Sequence, residues 1–153
     1  MLLRTIPRAG AVSLLLVVYV TAQVSPSTPR NAHVQLVEAP SLERGTEYLT
    51  IVRWTVNNPG GSPVHYGIVH YGVDPKHLDK TAQNPIRLNL WHPTTMFRVR
   101  INDLKAGTTY YYSIEAKDAT GPVDMTSSTV YHFSVVPDSQ YHPAATAANA
   151  KVP

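Results

Sequence analysis

The sequence predicts an all-β fold, a seven-stranded antiparallel sandwich. Two observations carry that expectation. Apolar and polar residues alternate in short runs, the period-2 pattern of a strand with one buried face. Clusters of Gly, Pro, Asn and Asp break these runs at short intervals, and no stretch shows a convincing helical stripe.

The strands follow in order. His33 to Glu38 is the first, ended by Ala39-Pro40. Glu47 to Asn57 is the second, with Thr50, Val52, Trp54 and Val56 on one face. Asn58-Pro59-Gly60-Gly61-Ser62-Pro63 is a loop. Val64 to Tyr71 is the third strand, closed by Gly72 and Asp74-Pro75. A weaker strand runs near Ile86 to Trp91. Met96 to Ile101 places Phe97, Val99 and Ile101 inward, and Lys105-Ala106-Gly107 turns the chain. Thr109 to Ala116 alternates Tyr110, Tyr112, Ile114 and Ala116 on its inner face. Asp118 to Asp124 reads as a loop, and Thr129 to Val135 is the last strand. Two sheets about 10 Å apart need large side chains between them. Trp54, Tyr110 and Phe133 supply these, and the expected core is Val52, Trp54, Val69, Tyr71, Val99, Leu104, Tyr110, Tyr112 and Phe133.

The ends read differently. Arg4 and Arg8 precede an apolar run from Ala11 to Val20, and Val20-Thr21-Ala22 fits a cleavage site, so residues 1–22 are expected to be a secretory signal peptide. The run is about half the ~20 residues a membrane span requires, so no stable membrane span is expected. Residues 23–32 read as a flexible leader, 33–136 as the domain and 137–153 as a disordered tail. The expected location is secreted, periplasmic or extracellular. The chain has no Cys, so a packed core must supply its stability without disulfides.

Charge excludes one class of function. The 153 residues hold 13 Lys+Arg and 10 Asp+Glu, net +3. Without Arg4 and Arg8 the balance is 11 against 10, or +1, and no basic stripe remains to mark a nucleic-acid partner.

Three pieces resemble a fibronectin type III domain. Val52-Arg53-Trp54 is similar to the V-x-W of its second strand. Val69-His70-Tyr71-Gly72 is similar to the end of its third strand. Leu104 to Ala116 resembles L-x-P-G-T-x-Y-x-x-x-V-x-A, with Ala106 at the Pro position. Gly67 stands where an aromatic often begins the third strand. The resemblance implies an immunoglobulin-like sandwich in which Leu104 plugs the core and Tyr110 forms a tyrosine corner. A narrower resemblance is to the sandwich preceding the catalytic domain of purple acid phosphatases. His70 to Leu78, Tyr110-Tyr111-Tyr112 and Val130-Tyr131-His132-Phe133 carry it. That family's metal site uses motifs such as G-D-x-x-Y, G-N-H-E and G-H-x-H, none of which occurs here. No family catalytic residue carries over.

The seven His invite a metal site. His65 and His70 are five residues apart and point to opposite faces of one strand, so they cannot clasp one ion. Solvent-facing strand histidines are the simpler expectation, with His132 outward, and neither metal nor other cofactor is expected. Asp74, Asp79, Asp118 and Asp124 fit turn-stabilising roles. No G-x-S-x-G occurs.

Binding surfaces remain. Trp91 lies in a connection, either as a ligand platform or as a cap over the open end of the sandwich. Tyr111 faces outward and, with Tyr66, is expected to form an exposed aromatic patch. Loops Asn57 to Ser62 and Lys117 to Thr126 are expected to meet at one end. The expectation is a monomeric, non-catalytic, exported interaction or spacer module whose partner is an extracellular or envelope protein, or a glycan. Two alternatives stand beside it: the N-terminal domain or a split fragment of a purple-acid-phosphatase-like metallophosphoesterase, and a carbohydrate-binding module.

Overall fold

A computed structural model describes residues 28–46, 48–137 and 150–151. Residues 1–22, where the signal peptide is expected, lie outside them. The described strands are β1 (Leu36–Thr46), β2 (Leu49–Asn57), β3 (Val64–Gly72), β4 (Lys80–Arg87), β5 (Thr94–Ile101), β6 (Thr109–Asp118), β7 (Val123–Thr126), β8 (Tyr131–Ser134) and β9 (Ala150–Lys151). They form two sheets, β1-β2-β5 and β4-β3-β6-β8-β9, with β7 also paired to β6. All the pairings are antiparallel. This is an immunoglobulin-like sandwich of the fibronectin type III kind.

The core is built from the inward residues of both sheets. Trp54 and Phe97 face each other across β2 and β5 and stack with ring centroids 5.3 Å apart. Tyr110 and Phe133 do the same across β6 and β8 at 5.7 Å. Val52, Val69, Val99, Leu104 and Tyr112 are buried with them, and Tyr71 packs against this cluster partly buried. Below Leu104, the Lys105 N–H donates to the Tyr110 hydroxyl oxygen at 3.1 Å. Gly67 lies under the stacked pair. A Cβ there would stand 3.0 Å from Phe97 and Val99 and 3.1 Å from Trp54. The position that often carries an aromatic is occupied here by Trp54 and Phe97 reaching across from the other sheet.

Several strands differ from the sequence expectation. β1 does not end at Pro40 but runs on to Thr46. Between Glu38 and Ser41 its register against β2 shifts by one residue, a bulge. β1 is an edge strand, and an edge bulge is where a proline costs no ladder bond. The fourth strand is Lys80–Arg87, not Ile86 to Trp91. It is a polar edge strand that turns only Ala82 and Ile86 to the core, so its alternation is faint. Residues 88–91 belong to the connection, with Leu88 tucked inward. The expected last strand is split. β7 pairs the far half of β6 and β8 the near half, so part of the expected Asp118–Asp124 loop is strand. Residues 150–151, expected within a disordered tail, pair with β8.

Candidate functional site

Chain direction brings four segments to one end of the sandwich: Thr28–Asn31, the β2–β3 loop, the β4–β5 connection and the β6–β7 turn. Thr28 bridges Gly61, and the Asn31 N–H donates to the Pro59 carbonyl at 2.7 Å. Gly60, at φ 64°, permits the approach, since a Cβ there would stand 2.1 Å from the Pro29 carbonyl oxygen. Residues 28–31, expected in a flexible leader, are therefore bonded into the domain.

Beneath this segment lies a cluster of charges. The Asp118 carboxylate accepts from the Ser62 N–H at 3.0 Å, the Thr120 N–H at 2.7 Å and the Arg30 guanidinium at 2.8 Å. It also lies 2.7 Å from the Ser62 and Thr120 hydroxyls. Arg30 makes a second bond, 2.7 Å, to Asp124. His65 sits between the acids, fully buried. Its Nδ1 is 2.6 Å from Asp124 Oδ2, and its Nε2 is 3.1 Å from the Ser62 carbonyl oxygen. A carboxylate and a carbonyl both accept, so both ring nitrogens carry hydrogen and the ring is an imidazolium. Burial opposes that charge. The bond to Asp124, the charges of Asp124 and Asp118, and the Ser62 carbonyl outweigh it and raise the pKa above the ordinary 6.5. Burial would likewise raise Asp118, but the Ser62 and Thr120 amides and hydroxyls hold its pKa well below the ordinary 3.8. Two cations thus meet two carboxylates, and the cluster is neutral.

This geometry is not that of a nucleophile. Ser62 Oγ lies 2.7 Å from Asp118 Oδ1 and from the Val64 carbonyl, not on His65. A protonated His65 cannot accept its proton. The cluster instead locks the leader, the β2–β3 loop and the β6–β7 turn together. His65 corrects the expectation of solvent-facing histidines. Its signal was in the sequence, because it shares strand parity with the inward Val69 and Tyr71. Arg30 carried no such signal, being 88 residues from Asp118. Among the described residues, no group of three or more His, Cys, Asp or Glu is arranged to hold a metal ion.

Trp91 projects from the same end. It is 96% exposed, so it caps nothing. Its loop is nonetheless held. Asn58 Nδ2 donates to the carbonyls of Asn89 (3.1 Å) and His92 (2.9 Å). The Asn58 N–H donates to the Pro93 carbonyl at 2.9 Å, and the Trp91 N–H to Asn89 Oδ1 at 3.2 Å. Asn58 begins the loop that the charge cluster fixes, so the indole stands on a braced platform.

The other candidate aromatics do not join it. Tyr66 is opposite Lys117 and Tyr111 opposite Gly72 in the β3–β6 register. Six residues of strand, ~20 Å, separate them. They form no common patch, and both are half-buried, Tyr111 against His132 with ring centroids 6.0 Å apart.

Comparison with known proteins adds one finding. No curated protein matches the chain. Residues 29–135 match the model of the family described as Purple acid Phosphatase, N-terminal domain.

Proposed function

Because that match spans more than half of the chain, the protein belongs to the purple acid phosphatase N-terminal domain family, and from this membership we propose that it is an exported, non-catalytic docking module for a metallophosphatase unit. Residues 1–22 support export by their basic start, apolar run and cleavage-site pattern. The absence of G-D-x-x-Y, G-N-H-E and G-H-x-H from this sequence supports a non-catalytic role.

One observation carries the docking role: Trp91, 96% exposed on a loop braced by Asn58. Trp is among the commonest interface anchors, and an anchor fixed before binding loses little entropy on association. A glycan-binding module would also use such an indole. It would need further aromatics beside it, and Tyr66 and Tyr111 are half-buried and ~20 Å apart along the sheet.

Affinity capture from envelope extract and culture fluid, read by mass spectrometry, tests this proposal. The expected result is enrichment of a metallophosphoesterase on the chain and its loss on the Trp91→Ala variant. Retention of the chain on insoluble polysaccharide, with no protein partner, would overturn it in favour of glycan binding.

A further inference from the structure

The outer face of the β1-β2-β5 sheet carries an arrangement of charge that the Trp91 end does not use. Register sets Arg53 of β2 directly opposite Arg98 of β5, and Arg100 opposite Ile51 one repeat further on. Like charges facing each other across a sheet oppose folding. One carboxylate relieves the pair: Glu43 of β1 reaches Arg53 at 3.6 Å and is hydrogen-bonded to Arg98. Glu38, the second acid on this face among the described residues, accepts from the Thr55 hydroxyl at 2.7 Å instead. Arg100 is exposed and makes no ion pair among the described residues. Three guanidiniums against two carboxylates, Glu43 and Glu38, leave this face with a net charge of +1 among the described residues; Arg100 is the cation without an acid partner, and the half-exposed Met96 lies on the same strand.

We propose that this face docks an extended acidic segment of a protein partner, whose alternate carboxylates seat on Arg98 and Arg100. Glu43 already shows the chemistry, a carboxylate held by guanidinium groups, for which the planar Arg fork is suited. The spacing supplies the rest. Arg98 and Arg100 are two strand residues apart, ~7 Å, and side chains at alternate positions of an extended peptide repeat at the same ~7 Å. An acid-x-acid segment therefore meets both arginines in step.

The test is titration of the purified chain at low salt with a peptide of alternating Glu and Thr, (Glu-Thr)4, and with oligogalacturonate as the glycan carboxylate. The expected result is peptide binding that weakens at least tenfold in Arg98→Ser/Arg100→Ser and severalfold in Arg100→Ser alone. Arg100→Ser breaks no ion pair, so a folding defect does not obscure it. Glu43→Gln, which frees Arg53 and Arg98, tightens binding. Glu115→Gln, the same charge change on the other sheet, does not. Failure to bind the peptide, binding indifferent to the arginine variants, an equal response to Glu43→Gln and Glu115→Gln, or tighter binding of oligogalacturonate would each overturn the proposal.

Discussion

Tyr110 does two jobs with one side chain. Its ring stacks on Phe133 in the core, while its hydroxyl accepts the Lys105 N–H at the β5–β6 turn. Tyr110→Phe keeps the stack and removes the acceptor. The expected loss is ~1 kcal/mol in urea unfolding, the scale of one intramolecular hydrogen bond. An unchanged midpoint would mean that water serves the Lys105 amide equally well. Gly67 is the opposite kind of position, needed for what it lacks. Gly67→Ala pushes a methyl group to about 3 Å from Phe97, Val99 and Trp54. The expected loss is ~1–3 kcal/mol, as for other overpacked cores, with the Trp54 fluorescence environment altered. Both sites were readable from sequence to different degrees. The Leu104-to-Ala116 motif marked the tyrosine corner. Gly67 was visible as a departure, but its cause lies in side chains from β2 and β5, which no local pattern reveals.

At the scale of elements, the charge cluster adds side-chain bonds to the backbone contacts that join the leader, the β2–β3 loop and the β6–β7 turn, and it makes stability depend on pH. The His65 pKa is raised in the folded state, so the folded protein binds more protons than the unfolded chain above pH 6.5. Its contribution is fully present below 6.5 and is lost as pH rises through the folded value. Asp118 works in the other direction. Its contribution is present above 3.8 and lost as pH falls toward its depressed folded value. The chain should therefore be most stable between about pH 4 and 6.5 and weaken on the alkaline side, with the slope above 6.5 removed in His65→Gln. Urea unfolding across that range checks this, and a wild-type slope equal to that of the variant would contradict it. The legibility of the strands follows the same physics. β2, β3, β5 and β6 bury one face continuously, so their alternation shows in the residues. β1, an edge with bulges and a proline, and β4, a polar edge with a proline, show no such alternation, and their limits emerged only from pairing. The last strand breaks between Thr126 and Tyr131, where β6 changes partner from β7 to β8.

For the molecule as a whole, the two surfaces are separate. Trp91 stands at the loop end, before β5 begins at Thr94. Arg100 lies near the far end of the same strand, ~20 Å away along its length. The two proposed docking roles therefore use separate places on the sandwich, Trp91 for the phosphatase unit and Arg98 with Arg100 for the acidic segment. Trp91 contributes nothing visible to the core, so Trp91→Ala should leave the unfolding free energy within ~0.5 kcal/mol of wild type. As a buried anchor in a complex, it should account for ~2 kcal/mol or more of binding. The measurement that bears most directly on the account is therefore the affinity of the proposed metallophosphatase partner for the wild-type chain and for Trp91→Ala, made on immobilised protein of verified fold. The account predicts a loss of roughly thirtyfold or more in the variant, the equivalent of 2 kcal/mol. Equal affinity for the two chains, or a metallophosphatase that binds neither, would contradict it.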